Sequence, residues 1–392
     1  MSFEDNMNFP EKHDIVLSES QMKLVESGNS FAFNMLKTLH PKEQEQEVFI
    51  SPFSLQVAFS MLSNGAAGDT YSQIAAALGF EGYSAEELND TYNTLLPALF
   101  GVDNSTKLHI ANALWYRPDF PVRESFSGVL KADYGATVDA LDFSSAKAPE
   151  TINSWAKNNT NGMIPQILTK TDPDWVYLLA NALYFKGVWS REFDVRKTKK
   201  EDFYCISGEK RSLEFLHGEI PCNYAYDENL TAALCELPFG NKAFVLDILL
   251  PDDGIDFNKF VSGLSEKDWN AITAKLRSAD EYVIIPKFDF TYSGNKTIVT
   301  TLNELGINDA FDADKADFSG ISTVSTFVSE VIHMARFKMD EQGAEAAAVT
   351  VIPGMVTSVG PSTEFFADRP FVFAIRETST KAILFLGTFR GI

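Results

Sequence analysis

Apolar residues recur at helical spacing in the first part of the chain and alternate at strand spacing later. Over 22–39, Leu24, Val25, Phe31, Met35 and Leu39 fall on one face, which predicts a packed amphipathic helix. The stretch 54–63 follows Pro52 and stops before Gly65, so a second helix is expected there, and Thr70-Tyr71-Ser72-Gln73 reads as the capping-box start of a third. Strand patterns then dominate: 176–185, 243–250, 282–290, 327–339, and the pair 371–375 and 382–389 around a polar turn. The expectation is a mixed α and β fold.

The strand predicted over 327–339 is half-buried. Val331, His333, Ala335, Phe337 and Met339 share one face, whereas Arg336, Lys338 and Asp340 lie on the other. From Gly343 the chain is ready to turn back. On its return Ala344, Ala346, Ala348, Thr350 and Ile352 would share a face of small or apolar residues, with Glu345 opposite. Nothing ionises between Ala346 and Thr363, and the second half of that stretch is rich in Pro, Gly and Ser. The alanines alone also fit the start of a helix, since alanine is the best helix former, although Thr350-Val351-Ile352-Pro353 argues against a long one. On residue pattern alone both readings stand.

Composition narrows the function. At 392 residues with 45% hydrophobic side chains and no linker or repeat, one large domain is expected. A net charge of −21, from 54 acidic and 33 basic residues, disfavours nucleic acid and anionic membrane as partners. No apolar run reaches membrane-span length, and the polar residues 1–20 read as a flexible lead-in rather than an intact signal peptide. Cys205, Cys222 and Cys235 are odd in number and lack a CxxC pair, so no disulfide framework is expected. With His217 they lack the close spacing of a structural zinc site, and neither metal nor cofactor is expected. GxSxG, HExxH and GxxxxGK[ST] are absent, and His333 on its apolar strand face reads as a hydrogen-bonded core residue. A catalytic function is not expected.

Six stretches, in order, carry a resemblance: FISPFSLQVAFSMLSNGAAGDT (49–70), INSWAKNNTNGMI (152–164), NALYFKGVWSREF (181–193), ELPFGNKAFVLDILLP (236–251), DEQGAEAAA (340–348) and DRPFVFAIRE (368–377). From about Ser20 to Ile392 the chain is similar to serpins, as an inhibitory, prokaryotic member. The resemblance implies one α+β domain over 21–392, with three β-sheets, about nine helices and an exposed reactive loop at about 343–367. It also implies a monomer whose partner is a serine protease, trapped covalently when the cut loop inserts into the central sheet. The hinge would be Glu341, Gly343, Ala344, Glu345, Ala346, Ala347 and Ala348. Trp189 and a pair of Lys287 with Glu341 would stand where the sheet first opens, and Ser51, Ser54, Asn181 and His333 would form a polar shutter beneath it.

Small side chains suit a segment that must enter a sheet, because each bulky or charged one would have to be desolvated. Roughly ten new backbone hydrogen bonds at about 0.5–1.5 kcal/mol net each give on the order of 5–15 kcal/mol before ordering entropy is subtracted, which rivals the stability of a domain. Counting about seventeen residues from Glu341 places the reactive bond between Thr357 and Ser358, with Met355 and Val356 as the alternative. With no Lys or Arg between Lys338 and Arg369, an elastase-like pocket is expected in the target rather than a trypsin-like one. Pro353 departs from the family pattern, as it cannot donate a ladder hydrogen bond, and the segment 343–370 is about two residues longer than the family spacing implies. A non-inhibitory carrier, chaperone or protease substrate is the alternative. A secreted or envelope location is expected, with any signal absent from this chain, or a cytoplasmic one if Met1 is the native start.

Overall fold

A computed structural model describes residues 9–329, 331–344 and 364–392. The helices are α1 (Glu19–Leu39), α2 (Pro52–Ser63), α3 (Gly68–Leu78), α4 (Ala85–Gly101), α5 (Glu124–Tyr134), α6 (Ala148–Asn159), α7 (Phe257–Gly263), α8 (Glu266–Thr273) and α9 (Asn295–Glu304). The first strands are β1 (Val48–Ile50), β2 (Lys107–Tyr116), β3 (Thr137–Ala140), β4 (Tyr177–Lys186) and β5 (Lys199–Tyr204). The middle ones are β6 (Lys210–Asp227), β7 (Ala232–Phe239), β8 (Phe244–Pro251), β9 (Arg277–Pro286) and β10 (Phe288–Ser293). The last are β11 (Met334–Asp340), β12 (Gly343–Ala344), β13 (Glu364–Phe366), β14 (Phe371–Glu377) and β15 (Ile383–Phe389).

The described strands form three sheets. Nine strands make the largest, in the order β1-β15-β14-β8-β7-β6-β9-β13 with β5 on β6; the others are β10-β11-β12 and β3-β2-β4. Phenylalanines clamp β10 and β11 onto the largest sheet. Phe49 lies 5.3 Å from Phe337, Phe288 meets Phe389 at 5.1 Å, and Phe337 lies at 5.8 Å from Phe373. The alternation read over the end of the 327–339 segment is present: Ala335, Phe337 and Met339 are buried, and the residues between them are half-exposed.

Four expectations need correction. The run 282–290 is two strands in two sheets, because β9 leaves its partner at the Phe215–Pro286 pair and the chain crosses at Lys287 to lie against β11. Strand structure begins at Met334 rather than 327, since β10 ends at Ser293 opposite Met334 and leaves 327–329 and 331–333 without a ladder partner on that side. The capping box at Thr70 does not form: α3 starts at Gly68, and the Thr70 hydroxyl oxygen accepts the Asp317 N–H at 2.9 Å instead. The first helix starts at Glu19, not at 22, because Ser18 and Gln21 make a reciprocal capping box.

Candidate functional site

β4 and β11 lie side by side, yet among the described residues the backbone pairing along their seam is a single parallel bridge, between Ala180 of β4 and Ile332, two residues before β11. Toward Asp340 the seam widens into a slot, and β12 occupies its mouth. The chain reverses over Glu341 and Gln342, so that Gly343 pairs antiparallel with Asp340 and Ala344 with Met339. On its other side Gly343 bridges Val188, in the connector that leaves β4. Gly343 has a φ of +142°, and a Cβ there would lie 2.1 Å from the Gly187 oxygen, so only glycine fits between the two backbones.

Trp189 holds the reversal from below. Its backbone N–H donates to the Gln342 oxygen and its indole Nε1–H to the Asp340 oxygen, each at 2.9 Å. The buried ring is fixed by stacking on Phe239 at 4.5 Å and by the edge of Phe193 at 5.8 Å. Phe193 in turn donates its N–H to the Glu341 oxygen at 2.9 Å. The Glu341 carboxylate accepts from the Thr198 hydroxyl at 2.7 Å and from Lys287 Nζ at 3.2 Å, and Lys287 also lies 3.7 Å from Glu214. Burial acts to raise the Glu341 pKa, but the hydrogen bonds from Thr198 and Lys287 outweigh it and the group titrates below its ordinary value.

A polar cluster lies beneath the far end of the seam. Ser51 caps α2: its hydroxyl oxygen accepts the Ser54 N–H at 3.1 Å and its O–H donates to the Leu384 oxygen at 2.8 Å. The Ser51 N–H donates to His333 Nε2 at 3.2 Å, which leaves the proton of the neutral ring on Nδ1. The Ser54 hydroxyl donates to Asn181 Oδ1, and Asn181 Nδ2 donates to Asn112 Oδ1 at 2.6 Å. Asn112 passes the chain on to the Tyr134 oxygen at 3.1 Å. His333 is 2% exposed, and burial pushes its pKa down to about 4, so the ring stays neutral and can accept.

Ser51, Ser54, Asn181 and His333 are therefore one connected group, and Trp189, Lys287 and Glu341 are another. Asn112 and Tyr134 belong to the first group and were missed in the sequence. A signal for Asn112 exists: the tetrapeptide Ala-Asn-Ala-Leu occurs at 111–114 and again at 180–183, and the antiparallel register sets Asn112 opposite Asn181. Glu345, Ala346, Ala347, Ala348, Pro353, Met355, Val356, Thr357 and Ser358 lie outside the described residues, as does most of the expected loop. Among the described residues no group of three or more His, Cys, Asp or Glu side chains could hold a metal ion, and no helix is long and apolar enough to cross a membrane.

The profile of a family described as serpin (serine protease inhibitor) matches residues 26–391. Iripin-8 of Ixodes ricinus is 32% identical over 393 aligned residues, covering 96% of this chain and 95% of its own. The leukocyte elastase inhibitor of Homo sapiens is 30% identical, with 94% of this chain and 99% of its own covered. The crystal structure of a thermophilic serpin, tengpin, in its native state superposes with a TM-score of 0.87 at 28% identity, over 100% of this chain and 99% of that one. Three sheets, nine described helices and a slot whose mouth holds the first residues of a returning segment agree with likeness over nearly the whole length, and the chain belongs to the serpin family.

Proposed function

We propose that the protein is a suicide inhibitor of serine proteases. The observation that carries this reading is β12: Gly343 and Ala344 already stand between β11 and the connector after β4, so a segment continuing in the same direction would enter the slot as a new strand. The target's serine attacks the Thr357 carbonyl, the Thr357–Ser358 amide breaks, and the Ser358 amine departs, leaving an ester between Thr357 and the protease. Insertion of the small residues from Ala344 onward then carries the ester-linked protease along the sheet before water can release it. Glu341, Gly343 and the alanines act as hinge, Trp189 and Lys287 hold the opening end, and Ser51, Ser54, Asn181 and His333 are the shutter. The domain runs over 21–392 with its loop at about 343–367. The target is elastase-like: the absence of Lys and Arg between Lys338 and Arg369 supports this, as does the name of one relative, and the protein would meet it outside the cell or in its envelope.

A panel of serine proteases tests the reading. An elastase-like enzyme is expected to form a complex that survives boiling in detergent, with release of a carboxy-terminal peptide starting at Ser358. A peptide starting at Val356 would move the bond to Met355. Efficient complex formation with trypsin at this loop would overturn the pocket argument, and clean cleavage without any complex would favour a carrier, chaperone or substrate.

A further inference from the structure

A cleft of about 570 Å³ lies beside the connector that leaves β4. It opens between Arg191 of that connector and Lys242 of the β7–β8 turn, with Lys12 at its rim. In a chain of net charge −21 such a gathering of cations is a local exception. Lys12 is 3.4 Å from Asp14, whereas Arg191 and Lys242 have no ion-pair partner among the described residues. The one carboxylate in the lining, Glu236, is hydrogen-bonded to Arg376, a guanidinium it shares with Asp247, and accepts from Asn223 Nδ2 at 2.6 Å, so it is engaged within the fold.

Lys242 adds an independent observation. Its φ is +73°, in the left-handed region that glycine or asparagine occupies at lower cost, and it is held there by its N–H to the Phe239 oxygen at 2.7 Å. A lysine kept in a strained turn that lines a cleft points to a use for its charge. Arg191 offers the planar fork that suits an oxyanion. Phe9, Pro238 and Val245 line the same space and supply an apolar wall.

We propose that this cleft binds a small organic oxyanion, held between Arg191 and Lys242 with its apolar body against Phe9, Pro238 and Val245. Such a ligand ties the connector to the turn at the place where they are paired. Gly240 N–H donates to the Val188 oxygen at 2.8 Å, Ser190 N–H to the Pro238 oxygen at 2.9 Å, and the Ser190 hydroxyl to the Gly240 oxygen at 2.8 Å. Because Trp189 in the same connector holds Gln342, occupancy of the cleft stiffens the mouth of the slot.

The probe is 8-anilinonaphthalene-1-sulfonate, an aromatic body with one sulfonate, titrated by fluorescence into the full chain. One site is expected, with affinity that falls as salt rises. Combining Arg191→Gln with Lys242→Asn should weaken it about tenfold or more, with no loss of fold because asparagine tolerates the positive φ. In the wild type alone, bound dye should slow hydrogen exchange at the Trp189, Ser190 and Gly240 amides. Equal affinity in both proteins would place the dye elsewhere and overturn the site. Binding that leaves those three amides unchanged would overturn the stiffening.

Discussion

Gly343 and His333 show how much rests on single residues at the two ends of the slot. Gly343→Ala places a methyl against the Gly187 oxygen in a backbone conformation that only glycine takes without strain. The expected cost is about 1–3 kcal/mol, relieved by detaching β12. It should appear as exchange of the Trp189 amide about tenfold faster or more; unchanged exchange would mean that the reversal is not anchored there. His333 gives the fold a pH dependence. It titrates near 6.5 when unfolded and at about 4 when buried, so unfolding takes up a proton between those values. Its contribution is whole above about pH 6.5 and is lost as pH falls toward 4. Between about pH 7.5 and 5 the loss is about 2 kcal/mol. Buried His40 and His217 are shifted in the same direction, and Asp247, raised to about 6 by burial, acts in the opposite one. Urea unfolding of His333→Gln isolates the residue: the variant should lose less stability on acidification than the wild type, and equal losses would refute the assignment.

At the scale of the element, β12 is a strand of two described residues whose continuation carries the proposed activity. Ala346 falls, by the alternation from Ala344, on the face that would turn into the sheet. Ala346→Arg should therefore leave the loop cleavable but replace the detergent-stable complex with cleaved product, because a guanidinium would have to be desolvated during insertion. Trapping with unchanged stoichiometry would show that this face is wrong. The elements also differ in how far they could be read beforehand. The alternation of Ala335, Phe337 and Met339 was legible, since burial on one face imprints a period of two. The division of 282–290 was not, because β9 and β10 are both strands and only their partners differ. Likewise the apolar pattern over 327–333 continued after its ladder partner had ended.

For the whole molecule, the proposed mechanism makes the slot the place where a further strand is added. Cutting the loop and letting it insert should raise the unfolding temperature, as a central strand adds backbone hydrogen bonds on both of its edges. Scanning calorimetry of intact and loop-cleaved protein checks this, and an unchanged melt would indicate a loop that does not insert.

By itself the sequence determined the fold class, the family likeness, the run of small residues at 346–348 and the absence of Lys and Arg between Lys338 and Arg369, because these depend on residue type and short-range order. It also marked Trp189, Lys287, Glu341, Ser51, Ser54, Asn181 and His333 through resemblance. Only the tertiary structure joined them: Trp189 to the oxygens of Asp340 and Gln342, Lys287 across 54 positions to Glu341, and Asn112 across 69 to Asn181. It alone set Arg191 and Lys242 on one cleft. The physical reason is that periodicity records which face of an element leaves water, whereas a sheet partner or a buried hydrogen bond is chosen by segments far apart in the chain, meeting only once the core has closed.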